Sequence, residues 1–145
     1  MPDYPEKAVV DAGVAVKWVI AEHDSERAAA LARSRLSAPD LIEAECANIL
    51  WVKVARGEIV EPEAMIRIAR LCAAPVERIP CGELGPAALK LSIDLRHPAH
   101  DCLYLALAVR RSIPLVTADR QFFAAVKSHP YLAAHIIALA SLPGA

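Results

Sequence analysis

Two aspartates flank apolar segments in the stretch "HPAHDCLYLALAVRRSIPLVTADRQFF", which spans residues 97–123. Asp101 lies at the start of a helical run of Leu, Ala and Val, and Asp119 directly follows the apolar segment "PLVTA". Burying a charge at the edge of a core is costly unless another group pairs with it. The rest of the chain must therefore supply a partner for these carboxylates.

Two further acids occupy comparable positions. Asp11 follows the apolar segment "KAVV", and Glu45 lies in "LIEAECANILWVKVARG", which predicts a helix that opens after Asp40 and stops at Gly57. At about 100° per residue, Glu45 falls on an apolar stripe of this helix, one turn from Asn48. Each acid alone has an ordinary explanation as a turn former, a helix cap or an acid at the start of a helix.

Taken together, the four acids favour one physical solution. Carboxylates that converge at one edge of a sheet repel each other and raise their pKa values. A hard divalent cation removes this conflict, and Mg²⁺ prefers oxygen ligands. Such an ion lowers the pKa of a bound water and stabilises charge on a phosphoryl group. We therefore predict a metal site for phosphodiester hydrolysis built from Asp11, Glu45, Asp101 and Asp119.

The elements that must position these acids alternate between strands and helices. Predicted strands end at Asp11 and span 37–39 and 114–118, with weaker candidates at 76–80 and 135–142. Helices are predicted over 24–36, 41–57, 62–74, 83–95, 99–111 and 119–128, and a turn is predicted at Gly13. This alternation predicts an α/β fold with a parallel sheet covered on both faces. Functional groups in such sheets gather outside the carboxyl ends of the strands, where Asp11 and Asp119 lie.

Composition narrows the class of protein. The chain has 145 residues, the size of one domain, so we expect a single domain over 1–145. Its 56% hydrophobic and 23% charged content excludes a disordered chain. No apolar run approaches the roughly 18 residues of a membrane span, and the N-terminus lacks the pattern of a signal peptide. A cytoplasmic protein without a membrane partner is expected.

Charge and cysteine content give no independent indication of a partner. The net charge is −1, and the pairs Arg67/Arg70 and Arg110/Arg111 are either local basic patches or solvated helix faces. The four cysteines form no CxxC pair and have no histidine at zinc-finger spacing. We interpret Cys46 and Cys102 as small hydrophobes of helix interiors.

Three blocks of the chain resemble, in order and spacing, the signature blocks of PIN-domain ribonucleases, with the VapC-type bacterial toxins as the most similar branch. These blocks are "VVDAGVAVKWVIAE", "APDLIEAECANILWVKVARGEI" and "HPAHDCLYLALAVRRSIPLVTADRQFF". The resemblance covers nearly the whole chain. It implies a PIN-like single domain with a parallel five-stranded sheet flanked by helices, and a site for Mg²⁺ or Mn²⁺.

The resemblance also implies roles for individual residues. Asp11, Glu45 and Asp101 match the three core acids, Asp119 matches a more variable fourth acid, and Asn48 and Thr117 match supporting polar positions. Relatives of this branch cleave RNA, usually form homodimers, and are silenced by a cognate VapB-type antitoxin. We therefore expect an RNA substrate, an antitoxin partner and a homodimer, with cleavage that leaves a 5′-phosphate and a 3′-hydroxyl.

Two positions depart from the family pattern. Gly13 stands where a hydroxyl residue is common, which weakens metal binding if that hydroxyl orients a ligand or a water. His100 stands where an aromatic residue is frequent, and we interpret it as a surface residue rather than a substrate contact. The departure at Gly13 leaves open an alternative, a catalytically weakened PIN module that binds RNA or a protein partner without cleavage.

Other readings of the acids fit less well. An aspartyl-nucleophile phosphatase needs a second Asp two residues after the first, where Gly13 stands. A phospho-receiver domain needs adjacent acids early in the chain and a lysine at a late strand end, and neither occurs. The apolar segments "AMIRIARLCAA" and "LWVKVA" either belong to the core, which we favour for most of their residues, or form a dimer face or antitoxin groove.

Overall fold

The computed structural model describes residues 3–144 and contains one five-stranded sheet. All neighbouring strands run parallel, in the order β3-β2-β1-β4-β5. The strands are β1 (Lys7–Val10), β2 (Arg35–Pro39), β3 (Val76–Ile79), β4 (Leu115–Thr117) and β5 (Ile136–Ala138). The helices are α1 (Ala12–Val16), α2 (Ser25–Leu31), α3 (Leu41–Ala55), α4 (Glu61–Ala73), α5 (Gly85–Leu95), α6 (Ala99–Arg111) and α7 (Arg120–Lys127). The predicted α/β class and the parallel five-stranded sheet are confirmed.

The central strands are short apolar runs because helices cover the sheet. Residues 8–10 of β1 and residues 115–117 of β4 are buried, so neither strand alternates between apolar and polar positions. Helix α6 packs against β1 and β2 and is buried from Tyr104 to Ala108. Alanine, valine and leucine therefore fill most of the interior, with Tyr104 as its largest fully buried side chain.

The side of the sheet on which the chain adds new strands changes at β1. The chain moves outward from β1 to β2 and β3, then returns to place β4 on the other side of β1. In open parallel sheets this switch point leaves a crevice beyond the carboxyl ends of the two strands. Asp11 directly follows β1 and Asp119 follows β4 by two residues, so both belong to this crevice.

Several predicted boundaries were wrong. The residues after Asp11 form the short helix α1 rather than a turn at Gly13, because the Asp11 side chain caps the helix at the Val14 N–H. The helix predicted over 24–36 ends at Leu31, and residues 35–39 pair with β1 and β3 instead. The last strand stops at Ala138 and continues as a 3₁₀ turn, Leu139–Ser141.

The preference for the core was also wrong for much of the two apolar segments. Trp51 of α3 is 65% exposed, and Met65 and Ile66 of α4 are 62% and 56% exposed. Leu50 and Leu71 of the same helices are buried, which anchors them to the rest of the domain. We refer to the exposed residues Trp51, Met65 and Ile66 as the α3–α4 apolar face.

The cysteines agree with the prediction from their spacing. All four are free, and Cys46 and Cys102 are buried in α3 and α6. Burial raises the pKa of the Cys46 thiol to about 12 and that of Cys102 to about 11, so both remain protonated. Among the helices formed by residues 3–144, none has the length and apolar character needed to cross a membrane.

Candidate metal centre

Asp11 is fixed by the start of α1. Its Oδ1 accepts a hydrogen bond from the Val14 N–H at 2.8 Å, the bond of an N-terminal cap. Its Oδ2 accepts a hydrogen bond from the hydroxyl of Thr117, which is 1% exposed at the end of β4. Thr117, the last residue of β4, thus holds Asp11, the residue that follows β1.

The environment of Asp11 opposes its ionisation. Burial raises the pKa of this carboxyl from 3.8 to about 6, although the hydrogen bonds from Thr117 and Val14 act in the opposite direction. The charge of Asp101 raises the pKa of Asp11 further, because the two carboxylates repel each other. Asp11 is therefore an acid whose charged form lacks a compensating cation.

Glu45 lies at the margin of α3. The side of α3 that packs into the core carries Ile42, Cys46 and Leu50, whereas Asn48 is exposed. The predicted apolar stripe through Glu45 was thus wrong as a buried face, because Leu41, Glu45 and Asn48 line the cleft rather than the core. Burial raises the pKa of Glu45, and the hydroxyl of Tyr104 donates a hydrogen bond to Glu45 Oε1 that partly opposes this shift.

Asp101 lies in the first turn of α6 and has two histidine neighbours. His97 Nε2 lies 2.6 Å from Asp101 Oδ2, and His100 Nε2 lies 3.6 Å from Asp101 Oδ1. The His97 ring stacks against Phe122 with centroids 4.5 Å apart, and its side chain is 17% exposed. His97 therefore holds the Asp101 carboxylate from the side of the core.

Asp119 has the same local structure as Asp11 but is exposed. Its Oδ1 accepts from the Phe122 N–H at 3.0 Å and so caps α7. Its own backbone N–H donates to Thr117 Oγ1 at 3.0 Å. Thr117 thus contacts both strand-end aspartates, as donor to one side chain and acceptor from the backbone of the other.

The four predicted acids line one open cleft of about 590 Å³ at the carboxyl ends of β1 and β4. Asn48, His100 and Tyr104 also line it, whereas the buried Thr117 acts from behind Asp11. Within residues 3–144, no lysine or arginine forms an ion pair with any of the four acids. The cleft therefore concentrates negative charge that the protein itself does not neutralise.

A subset of this cleft has the spacing of a metal site. One ligand atom each from Glu45, His100 and Asp101 lies within 4.8 Å of the others. This set includes two of the predicted acids, and Asp11 and Asp119 lie outside it. His100 is exposed, as the surface interpretation expected, but it also adds an imidazole nitrogen to the set. Carboxylate oxygens with one imidazole are a donor set for divalent metals.

Two residues of the centre were missed from the sequence. His97 precedes Asp101 by four residues, the spacing of neighbours on a helix, but it lies before α6 begins. Tyr104 follows Asp101 by three residues on the same helix, so the helical face of Asp101 gave a usable signal for it. Its contact with Glu45 on α3 joins two helices that are distant in sequence.

Gly13 leaves room for a side chain. A Cβ at this position would lie 3.5 Å from Asp11 Oδ1 and 3.6 Å from the Ala118 Cβ, which are ordinary van der Waals distances. Its φ is not positive, so the backbone does not require glycine. Steric hindrance therefore does not explain why position 13 lacks a hydroxyl residue.

Comparison with known proteins places this fold and cleft in a family. The PIN domain family matches residues 8–128, which include all four acids. The chain belongs to the PIN domain family. PIN domains are typically metal-dependent nucleases, in agreement with the acidic cleft.

A solved structure supports the fold of this PIN domain. The chain is similar to PAE2754 from Pyrobaculum aerophilum with a TM-score of 0.66 and 20% sequence identity, over 95% of this chain and 86% of that chain. At this identity the likeness shows the fold alone. No curated protein matches the chain.

Proposed function

We propose that this PIN domain is a divalent-metal-dependent endoribonuclease and the toxin component of a VapBC-type toxin–antitoxin module. The observation that carries the proposal is the convergence of Glu45, His100 and Asp101 within 4.8 Å, in a cleft also lined by Asp11 and Asp119. The cleft lies at the switch point of a parallel sheet, the usual place for a ligand in such folds.

The residues of the cleft fit a divalent cation. Burial raises the pKa values of Asp11 and Glu45, so a bound cation would stabilise the ionised form of both carboxyl groups. We assign Asp11 and Asp101 as ligands, Asp119 as a ligand through water, and Glu45 as the acid beside the ion that orients the attacking water. The oxygen-rich set suits Mg²⁺ or Mn²⁺, and the imidazole of His100 favours Mn²⁺ of the two.

The protein groups then have separate roles in hydrolysis. A bound divalent cation supplies a water of lowered pKa and stabilises charge on the phosphate. Glu45 orients the attacking water and accepts its proton, and the Tyr104 hydroxyl fixes the rotamer of Glu45. His97 and Thr117 keep the carboxylates of Asp101 and Asp11 in position. In-line attack of the water would form a new P–O bond and break the P–O3′ bond, and the leaving 3′ oxygen would take a proton from solvent, which gives a 5′-phosphate and a 3′-hydroxyl.

The partner side of the proposal is supported by the α3–α4 apolar face. Trp51, Met65 and Ile66 are large apolar side chains that remain exposed in the single chain. Trp51 and Met65 also line one cavity between α3 and α4, and contiguous exposed apolar surface marks protein interaction sites. In this proposal the protein is cytoplasmic, forms a homodimer, and is silenced by a VapB-type antitoxin.

The test is cleavage of a mixed pool of structured RNA with Mg²⁺ or Mn²⁺ by wild type, Asp101→Asn and Asp94→Asn. Asp94 is the matched control, because it is an exposed aspartate of α5 paired with Lys90 outside the cleft. We expect cleavage with new 5′-phosphates by wild type and Asp94→Asn, and loss of cleavage in Asp101→Asn. Equal cleavage by all three proteins would overturn the site assignment.

Metal affinity distinguishes the proposed nuclease from the alternative, a non-catalytic PIN module. If no RNA is cut, MnCl₂ is titrated into wild type and Asp101→Asn. Binding by wild type alone points to a nuclease of narrow specificity whose RNA is missing from the pool. No binding by either protein favours the module that holds RNA or a protein partner, a result that the absent hydroxyl at Gly13 would then explain.

A further inference from the structure

A second cavity, lined mainly by positively charged side chains, lies at the amino-terminal ends of the strands. Its volume is about 450 Å³, and its polar lining comes from Lys7, Arg35, Ser37, Glu77 and Arg111. These residues belong to the amino-terminal part of the sheet and the last turn of α6, whereas Asp101 lies in the first turn of the same helix. At about 1.5 Å per residue, α6 separates Asp101 from Arg111 by about 15 Å along its axis. We call this cavity the basic pocket.

Strand register places two cations of the basic pocket side by side. Lys7 of β1 is the register partner of Arg35 of β2, so both side chains leave the same face of the sheet. Strands lie about 4.8 Å apart, and like charges in directly adjacent positions destabilise a sheet. Neither residue forms an ion pair with any other residue from 3 to 144. An anion between them would remove this repulsion.

A buried hydroxyl points to the same conclusion. Ser37 follows Arg35 by two residues and therefore lies on the same face of β2. It is 3% exposed, and its Oγ has no hydrogen-bond partner within the described part of the chain. Buried hydroxyl groups are rarely left unsatisfied, and those that are call for a ligand or a water. Ser37 lines the basic pocket, and rotation of its side chain toward the cavity would let the hydroxyl donate to an oxygen of an anion held by the two cations.

The remaining wall of the pocket is an ion pair in fixed geometry. Arg111 Nη1 and Nη2 donate to the two carboxylate oxygens of Glu77 at 2.8 and 2.9 Å. This pair neutralises Glu77 and leaves the positive charge of Lys7 and Arg35 in excess. A tetrahedral anion with several acceptor oxygens matches two cations and one hydroxyl better than a chloride or a single carboxylate does.

We propose that the basic pocket binds a phosphate group, of an RNA strand or of a free nucleotide, independently of the acidic cleft. The two sources share the chemistry that the pocket recognises. The pocket lies at the amino-terminal ends of the strands and the cleft at their carboxyl ends, so the pocket is a separate site rather than part of the metal centre. The proposal does not depend on ribonuclease activity.

The experiment is a ¹H–¹⁵N correlation titration of the full chain with inorganic phosphate, adenosine 5′-diphosphate and a six-nucleotide RNA. EDTA is present throughout, so that no divalent ion in the acidic cleft contributes to phosphate binding. We expect saturable shifts of the amides of Arg35, Ser37 and Ile113. Tighter binding of RNA assigns the site to a strand, and tighter binding of the nucleotide assigns it to a free ligand, and both support the proposal.

Three variants make the result specific. Arg35→Gln and the near-isosteric Ser37→Ala should each weaken binding, the former by about tenfold because it removes a charge-assisted contact. Arg33→Gln is the control, since Arg33 is an exposed arginine just before β2 that does not line the pocket. Absence of saturable shifts in wild type, or unchanged affinity in Arg35→Gln and Ser37→Ala, would overturn the proposal.

Discussion

The junctions β1–α1 and β4–α7 are built alike but differ in environment. In each, an aspartate follows a central strand and its Oδ1 caps the helix three residues on, at Val14 in one and Phe122 in the other. Asp11 is half-buried, and this burial raises its pKa to about 6, whereas Asp119 is exposed. The local motif therefore does not set the role of the acid. Burial beside a second carboxylate makes Asp11 the stronger candidate for a metal ligand.

The largest expected effect separates the two junctions by metal binding. Asp11→Asn should lower Mn²⁺ affinity and cleavage by about 100-fold or more, because even partners behind the ligands of a metal site contribute about 10- to 100-fold. Asp119→Asn should lower them by about tenfold or less, since an exposed acid acts through water. Calorimetric titration of both variants with MnCl₂ measures the ratio of their Mn²⁺ affinities. Equal losses in the two variants would remove the distinction.

Stability should respond in the opposite direction. At pH 7.5 without metal, Asp11→Asn should raise the free energy of unfolding by about 2 kcal/mol, because the pKa difference between 3.8 and about 6 corresponds to about 3 kcal/mol. Asn still accepts the cap bond from Val14. Asp119→Asn should change stability by less than about 0.5 kcal/mol. Urea denaturation measures both values.

The pH dependence gives the sign of this effect. The raised pKa of Asp11 means that, between about pH 4 and pH 6, the folded state keeps a proton on this carboxyl that the unfolded state has lost. The contribution of this proton to the free energy of unfolding is therefore fully present below about pH 4. That contribution is lost as the pH rises through about 6. The gain from Asp11→Asn should thus be present at pH 7.5 and absent at pH 4. A gain that is the same at both pH values would contradict the assignment of the raised pKa to Asp11.

Thr117 connects the two junctions and should have an intermediate effect. Thr117→Val removes the hydroxyl that donates to Asp11 and accepts from the backbone of Asp119, so the pKa of Asp11 should rise further. We expect a loss of about tenfold in Mn²⁺ affinity at pH 7. Thr117→Ser keeps the hydroxyl and serves as the control. If Ser and Val variants bind Mn²⁺ alike, the hydroxyl has no positioning role.

The smallest effect is expected at Gly13, inside α1. Gly13→Ala should raise stability by about 0.5–1 kcal/mol, since glycine destabilises a helix interior and the site has space for a Cβ. Gly13→Ser should add a few-fold gain in Mn²⁺ affinity relative to Gly13→Ala, because its hydroxyl would lie near Asp11 Oδ1. Thermal unfolding and MnCl₂ titration of the two variants isolate the hydroxyl from the backbone effect. A Ser variant no better than the Ala variant would show that the departure from the family pattern is neutral.

Much of the fold was predictable because its signals are local. Short apolar strands between helical segments indicated the parallel sheet, and the strand ends placed Asp11 and Asp119 correctly at its carboxyl edge. The wrong boundaries arose where a tertiary interaction overrides a local pattern, as at residues 35–39, which pair with two neighbouring strands rather than extend α2. Strand pairing of that kind is not visible in a helical periodicity.

The site was less predictable because its support is long-range. Tyr104 and Glu45 are 59 residues apart, and Thr117 and Asp11 are 106 residues apart. The side of α3 that faces the core was misassigned because an apolar residue such as Leu41 looks the same in a sequence whether it lines a cleft or an interior. The ring of His97 is held by Phe122 of α7, a contact that no spacing within one element reveals.

The central claim is that the acidic cleft holds a divalent cation through Asp11 and Asp101. The most direct measurement is calorimetric titration of MnCl₂ into wild type, the double variant Asp11→Asn/Asp101→Asn and the control Asp94→Asn at pH 7.5. We predict saturable binding by wild type and the control, and no binding by the double variant. Equal binding by all three proteins, or no binding by wild type, would contradict the account.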